Sequence, residues 1–230
     1  MNPTLKGAVR GICPPVIYRG LHSLRRRPSV DQDQPSTSVE GSLRAADWYD
    51  ERYELSAEYA KHYSESQYYA VWTVIADRLG QVGVEKVLDL GCGPGQFATL
   101  LHDKGVKAYR GLDFSATSIR LAQGCCPAYE FAVADISEAG VIEACDYDCV
   151  VTLEFLEHVD GDVAILQRIR SGTKVFATVP NFPDPGHVRH FLSTAEVRDR
   201  YEQAFSSIEV DTFLLDPKGY SLYLIDGTKL

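Results

Sequence analysis

A glycine loop followed by evenly spaced acids is the part of this 230-residue sequence best equipped for chemistry. The loop is VLDLGCGPGQF, with Gly91, Gly93 and Gly95, and it joins an apolar run to an amphipathic one. Glycines at a strand-to-helix turn let the backbone bend sharply and let a ligand approach without a Cβ in the way. The amides at the start of the following helix can meet a carboxylate or a phosphate. A dinucleotide fingerprint would need glycine at position 96, where Gln96 stands, and Pro94 removes an amide that could face a pyrophosphate. The D-x-G-x-G-x-G form that starts at Asp89 suits a smaller ligand with an amino acid end. Asp113 closes the next apolar run, 22 residues after Gly91. Its two oxygens could accept both hydroxyls of a ribose, or it could cap the helix that follows. Asp135 closes the third run, AVADIS, where it could accept from an adenine amino group with Ile136 packed on the ring; taken alone, it reads as a cap.

Three further segments carry reactive side chains. TLEFLEHV supplies Glu154, Glu157 and His158. VPNFPDPGHVRHF supplies Asn181, His187, Arg189 and His190, with Phe182, Pro183 and Pro185 as a rigid pocket-lining loop. A tyrosine-rich segment supplies Tyr59, Tyr63, Tyr68 and Tyr69. His158, with Glu157 beside it, is the expected catalytic pair, because an unperturbed histidine titrates near neutrality and can take a proton from a nucleophile. The competing reading makes His158 a structural residue and the glutamates loop-orienting or helix-capping groups. Arg189 is expected to pair with an anionic acceptor or with a surface acid.

These residues need a scaffold that brings strand ends together. EKVLDLG, KAYRGLDF, AYEFAVAD, DYDCVVTLEF and TKVFATVP read as strands. QFATLLHDKG, ATSIRLAQG, DVAILQRIRSG and TAEVRDRYEQ read as the helices among them, and residues 47–79 look helical towards their end. Strand–helix alternation implies a parallel, doubly wound α/β sheet with helices on both faces. SIEVDTFLL and YSLYLIDG follow with no helix between them and could add an antiparallel edge. Ligands of such sheets lie beyond the carboxyl ends of the strands, where the three reactive segments converge.

Charge is unevenly distributed. The chain carries 23 Lys and Arg against 32 Asp and Glu, a net −9, yet residues 1–30 hold six basic side chains and no acid. The remainder therefore carries −15, a poor counter-charge for a nucleic-acid backbone, so broad nucleic-acid binding is disfavoured. Residues 1–27 form a basic amphipathic leader, with Val16, Ile17, Leu21 and Leu24 opposite Arg19, Arg26 and Arg27. It could lie peripherally on an anionic membrane, serve as a transit peptide, or dock as a helix. Residues 28–45 read as a flexible linker and 46–230 as one domain. Six cysteines without a C-x-x-C pair fit reduced thiols in a cytoplasmic protein.

In order and spacing, LDLGCGPG, GLDFS, VADI and VVTLEFLEHV resemble the class I S-adenosylmethionine-dependent methyltransferases, over about residues 50–228. The resemblance implies a Rossmann-like, seven-stranded, mostly parallel sheet with a reversed final hairpin. It implies S-adenosylmethionine as cofactor, with Asp89 and the Gly91–Gly95 loop on the methionine part. Asp113 would hold the ribose, Phe114 and Ile136 would flank the adenine, and Asp135 would bind its amino group. Thr152 and Leu153 would approach the sulfonium through backbone carbonyls, and the tyrosines would shield it as a lid. The expected acceptor is a small molecule methylated at oxygen, with a saccharide or a membrane-proximal metabolite as candidates. E-x-x-E-H also resembles a ligand set in ubiquinone-pathway O-methyltransferases and in small-RNA 2′-O-methyltransferases. Glu154, Glu157 and His158, with His187 or His190, would there hold a magnesium-like or manganese-like ion. A metal-dependent RNA enzyme and a catalytically inactive cofactor-binding scaffold are the rival expectations.

Overall fold

The computed structural model describes residues 44–230; the basic leader and residues 28–43 of the linker lie outside the described residues. The chain opens with α1 (Ala46–Leu55) and two short 3-10 turns, then α2 (Tyr69–Gln81). It continues through β1 (Lys86–Leu90), α3 (Gln96–Asp103), β2 (Ala108–Asp113), α4 (Ala116–Cys125), β3 (Glu130–Val133) and β4 (Cys149–Leu153). It ends with α5 (Asp162–Gln167), β5 (Lys174–Pro180), α6 (Thr194–Tyr201), β6 (Phe205–Leu214) and β7 (Ser221–Lys229). The seven strands form one sheet in the order β3-β2-β1-β4-β5-β7-β6. The pairs from β3 to β5 are parallel, and β7 runs antiparallel to both β5 and β6. The resemblance implied this architecture, closing hairpin included.

Burial explains why these runs are strands. KVLDL, CVVTL and KVFATVP are buried almost end to end, as strands covered on both faces must be. One apolar cluster joins Val71, Ile75, Leu79, Phe97, Leu100 and Leu101 to Val87, Val151 and Phe176. A second joins Leu88, Leu90 and Val150 to Ile165, Leu166, Val197 and Tyr201. Alternate residues of β1 thus face opposite layers, the period-two rule at work. The chain winds outward one way from β1 to β2 and β3, and the other way to β4 and β5. The crevice sits at that switch point, between the ends of β1 and β4.

Several boundaries differ by a few residues from the sequence expectation, two of them near the cleft. The third strand stops at Val133, so Asp135 sits in the turn beyond it, and α5 stops at Gln167. The tyrosine-rich segment also begins with a helix, α1, that periodicity does not reveal, because none of its residues is buried. Among the described residues no helix is long and apolar enough to cross a membrane.

Candidate active site

The cleft begins with the glycine loop. Gly91, Gly93 and Gly95 all have positive φ (79°, 53° and 85°), which only glycine adopts without strain. The Gly91 and Cys92 amides both donate to the Leu112 carbonyl, at 2.8 and 3.0 Å, and so fasten the loop to β2. The three glycines have different neighbours. A Cβ on Gly91 would lie 2.6 Å from the Phe155 ring, and one on Gly95 2.9 Å from the Ala122 backbone. At Gly93 the nearest atom would be Tyr53 Oη at 3.6 Å, and this glycine lines the cavity. Gly91 and Gly95 therefore permit packing, whereas Gly93 leaves room for a ligand.

Two buried aspartates stand beside the loop. Asp113 accepts from the Gly93 amide through Oδ2 and from the Ser115 amide through Oδ1, each at 2.9 Å. It braces the loop against the start of α4, and burial raises its pKa. Asp89 accepts from the Tyr109 hydroxyl at 2.5 Å through Oδ2. Its Oδ1 is buried without a partner, and burial pushes its pKa to about 7. Beyond Asp113, the exposed Phe114 ring and the buried Ile136 side chain line the same cavity. Asp135 Oδ1 accepts from the Ser137 amide at 2.9 Å and its hydroxyl at 2.6 Å. Leu153 lines the cavity; Thr152 is fully buried behind the wall, and its Oγ1 has no partner.

The other half of the cleft is built on the ends of β4 and β5. Glu154 has φ of 53°, uncommon for a residue with a side chain, and its amide donates to Thr178 Oγ1 at 3.0 Å. Glu154 Oε1 and both carboxyl oxygens of Glu157 are buried and unpartnered. Burial raises the Glu154 carboxyl to about 8, and burial beside Glu154 raises Glu157 well above the usual range. His158 Nδ1 lies 2.9 Å from the Gly186 carbonyl and 2.9 Å from Tyr49 Oη. A carbonyl can only accept, so Nδ1 carries the proton and Nε2 the lone pair. Nε2 is 3.8 Å from Glu157 Oε1. Burial lowers the His158 pKa to about 4 and also lowers that of His187. The two imidazoles meet edge to face at 4.8 Å. Ligating atoms of Glu157, His158 and His187 all lie within 4.8 Å of one another. His190 is exposed and lies outside this group.

Several expected roles are refined. Arg189 pairs with an acid, the buried Asp162 at 3.3 Å, and is not among the residues lining the cavity; Nη1 donates to the Leu156 and Val159 carbonyls at 2.5 Å and Nη2 to Asp160 O at 3.2 Å. It positions the turn that carries Glu157 and His158. Asn181 ties the β6–β7 connection through Gly219 O and the Ser221 amide. Tyr59 and Tyr68 line the cavity, whereas Tyr63 donates to Asp103 and Tyr69 is 40% exposed. Sequence reading missed Tyr49, Arg52 and Tyr53 of α1, all on the cavity wall. The i, i+4 spacing of Tyr49 and Tyr53 places both on one helix face once the helix is known, but does not announce the helix.

Segment 46–61 is held across the cleft largely by polar contacts. Asp50 accepts from the Ser115 hydroxyl and from the Thr117 amide. Arg52 reaches Asp184 at 3.4 Å, and Gln96 donates to the carbonyls of Glu58 and Lys61 at 3.2 and 2.8 Å. The cleft measures about 600 Å³, within the range of small-molecule sites.

Residues 87–174 match the family described as a methyltransferase domain. Among curated relatives, the ubiquinone biosynthesis O-methyltransferase of Bordetella avium (strain 197N) is 24% identical over 163 residues, 67% of this chain and 64% of the relative. The trans-aconitate 2-methyltransferase of Agrobacterium fabrum (strain C58 / ATCC 33970) is 30% identical over 119 residues, 49% of this chain and 46% of the relative. The chain thus spans less than two thirds of the length of either. Among solved structures, magnesium protoporphyrin IX methyltransferase of Synechocystis PCC 6803 with bound S-adenosylmethionine superimposes with a TM-score of 0.61. It is 16% identical, with 82% of this chain and 99% of that one covered, a likeness of fold.

Proposed function

From a chain that carries a class I S-adenosylmethionine-dependent methyltransferase domain, we propose that it transfers the methyl group of that cofactor to an oxygen of a small-molecule acceptor. The observation that carries this reading is the Asp89 Oδ1 atom, buried and unpartnered beside the glycine loop. A buried carboxylate oxygen without a donor is costly unless a cation completes it, and the ammonium of the cofactor's methionine end is such a cation. Asp113 accepts one backbone amide on each oxygen, and two carboxylate oxygens retain lone-pair capacity for ribose hydroxyls. Phe114 and Ile136 offer apolar faces to the adenine, and Asp135 Oδ2, which makes no hydrogen bond here, can accept from its amino group. Leu153 closes the sulfonium end, and Thr152 contributes at most its backbone.

When bound, the cofactor would supply an activated methyl that an in-line nucleophile takes up as the C–S bond breaks and S-adenosylhomocysteine leaves. The protein's task is alignment, which can supply roughly 7–11 kcal/mol of the barrier in favourable cases. His158 Nε2 is neutral and faces Glu157, so it is placed to receive the acceptor's proton. Glu157 lies 3.8 Å from Nε2; burial favours its neutral form, so it would stabilise the resulting imidazolium only on giving up its own proton. Tyr49 and the Gly186 carbonyl hold the ring in that tautomer. Calorimetric titration with S-adenosylhomocysteine should show one site. Incubating metabolite extracts with isotopically labelled cofactor should then label a small acceptor. Failure of folded protein to bind either cofactor form would overturn the reading.

A second reading is favoured by the Glu157, His158 and His187 group. Three ligands of two types, one carboxylate and two imidazoles, within 4.8 Å of one another and with the Glu157 oxygens unpartnered, suit a magnesium-like or manganese-like ion that would grip vicinal acceptor oxygens as a Lewis acid. In this reading His158 is a ligand and not a base. Manganese binding followed by electron paramagnetic resonance separates the two: an ordered signal lost in His187→Ala supports the ion, and a free-ion spectrum at equimolar protein removes it.

A further inference from the structure

We propose that Arg168 is the positioning residue for the adenine end of the cleft, holding the turn at residues 135–138 in the shape that aims Asp135 at a purine. The inference rests on the cofactor reading above and concerns a side chain with no counterpart in the motifs that led there.

Arg168 follows α5 and lines the cleft, yet its guanidinium faces protein rather than ligand. All five of its N–H donors are engaged. Nε and Nη2 donate to the two carboxyl oxygens of Glu143, at 3.0 and 2.9 Å. Nη1 donates to Ile136 O at 2.9 Å and Ser137 O at 3.2 Å, and Nη2 to Glu138 O at 2.5 Å. Three consecutive carbonyls therefore converge on one planar cation, an arrangement whose dipoles would repel one another without it.

The same turn fixes Asp135. Its Oδ1 accepts both the amide and the hydroxyl of Ser137, and its carbonyl accepts the Glu138 amide at 3.1 Å. Ser137 is thus held from two sides, by Asp135 through its donors and by Arg168 through its carbonyl. The consequence is a carboxylate with Oδ1 occupied and Oδ2 left for a ligand. Ile136, between them, is kept buried with its face to the cavity. Lysine could not substitute: one ammonium cannot span three carbonyls and grip a carboxylate in bidentate fashion. Glu143 sets the plane of the guanidinium, and the ion pair holds its carboxyl down at about 2, so it stays charged at ordinary pH.

The test compares two ligands on the full chain: S-adenosylhomocysteine, and its inosyl analogue, in which the adenine amino donor is replaced by a carbonyl oxygen. Because Asp135 is solvent-exposed, the wild type should prefer the adenosyl form by about tenfold, near the worth of one hydrogen bond. Arg168→Ala and Arg168→Lys should bring that ratio towards one, mainly by weakening the adenosyl ligand. Glu143→Gln should shift it in the same direction by less. Melting curves identify the variants that remain folded, and the lysine and Glu143 variants decide the matter if the alanine variant does not fold. A folded variant that loses both ligands equally and keeps the tenfold preference would overturn the proposal, because a merely structural residue behaves that way. A wild type that binds the adenosyl form without preferring it would overturn the Asp135 assignment and this inference with it. A wild type that binds neither would overturn the cofactor reading itself.

Discussion

The two halves of the cleft are finished to different degrees. On the glycine-loop side, nearly every polar group has its partner: Gly91 and Cys92 on Leu112, Asp113 on Gly93 and Ser115, Asp135 on Ser137. What stays open is one oxygen of Asp89 and one of Asp135. On the histidine side, three carboxyl oxygens of Glu154 and Glu157 are buried without donors, and Glu154 sits in the left-handed region. A preformed half binds without reorganising; a half that is costly on its own is completed by what enters it. The glycine-loop side thus suits a constant ligand, and the histidine side suits the reacting one.

Breaking the finished half should give the largest effects. Gly93→Val places a β-branched side chain at φ of 53° on the cavity wall, and binding of S-adenosylhomocysteine should fall below calorimetric detection. Asp113→Ala removes the acceptor of the Gly93 amide and, in the proposed reading, those of the ribose; affinity should drop by roughly 1.5–3 kcal/mol, the worth of hydrogen bonds to a charged group. Loss of melting temperature without loss of affinity would make Asp113 a brace only.

The open groups set finer tests. Asp89 titrates at about 7 in the free protein because burial disfavours its charge. A folded pKa raised above the unfolded value means that the free protein loses stability as pH rises between the two values. An ammonium ligand requires the carboxylate, so affinity should climb by up to about tenfold per pH unit below 7 and level off above it. Calorimetry in buffers of different ionisation enthalpy should detect the released proton at pH 6; pH-independent affinity would detach Asp89 from the amino acid end. On the histidine side, His158→Ala should lower turnover of the labelled acceptor by about 100-fold or more with cofactor affinity unchanged. The smallest effect is expected from the leader. Anionic vesicles should retain full-length protein somewhat better than a variant lacking residues 1–27, because basic side chains are drawn to an anionic surface. Equal sedimentation would end that idea.

The difference between the halves also explains what could be read from the sequence. The glycine-loop half is local: loop, Asp113 and Asp135 each follow their own strand, so spacing alone placed them. The histidine half joins segments far apart in the chain. Tyr49 meets His158 across 109 residues and Arg52 meets Asp184 across 132. No periodicity announces such contacts, and α1 has no buried face to produce one. His187 and His190 differ by only three residues; the turn in which the His187 amide donates to the Asp184 carbonyl decides which points inward. Arg168 escaped, and so did the bracing role of Arg189, because backbone carbonyls, their main partners, leave no trace in residue type.

The placing of β7 between β5 and β6 has a consequence for synthesis. β6 pairs with β7 alone, so as the ribosome releases residues 205–214 that strand has no neighbour to join. It must wait for residues 221–229, which fill the gap beside β5 and receive β6 on their other edge. A nascent chain halted between the two would display two unsatisfied strands at once, so this interval is where chaperone protection would matter most.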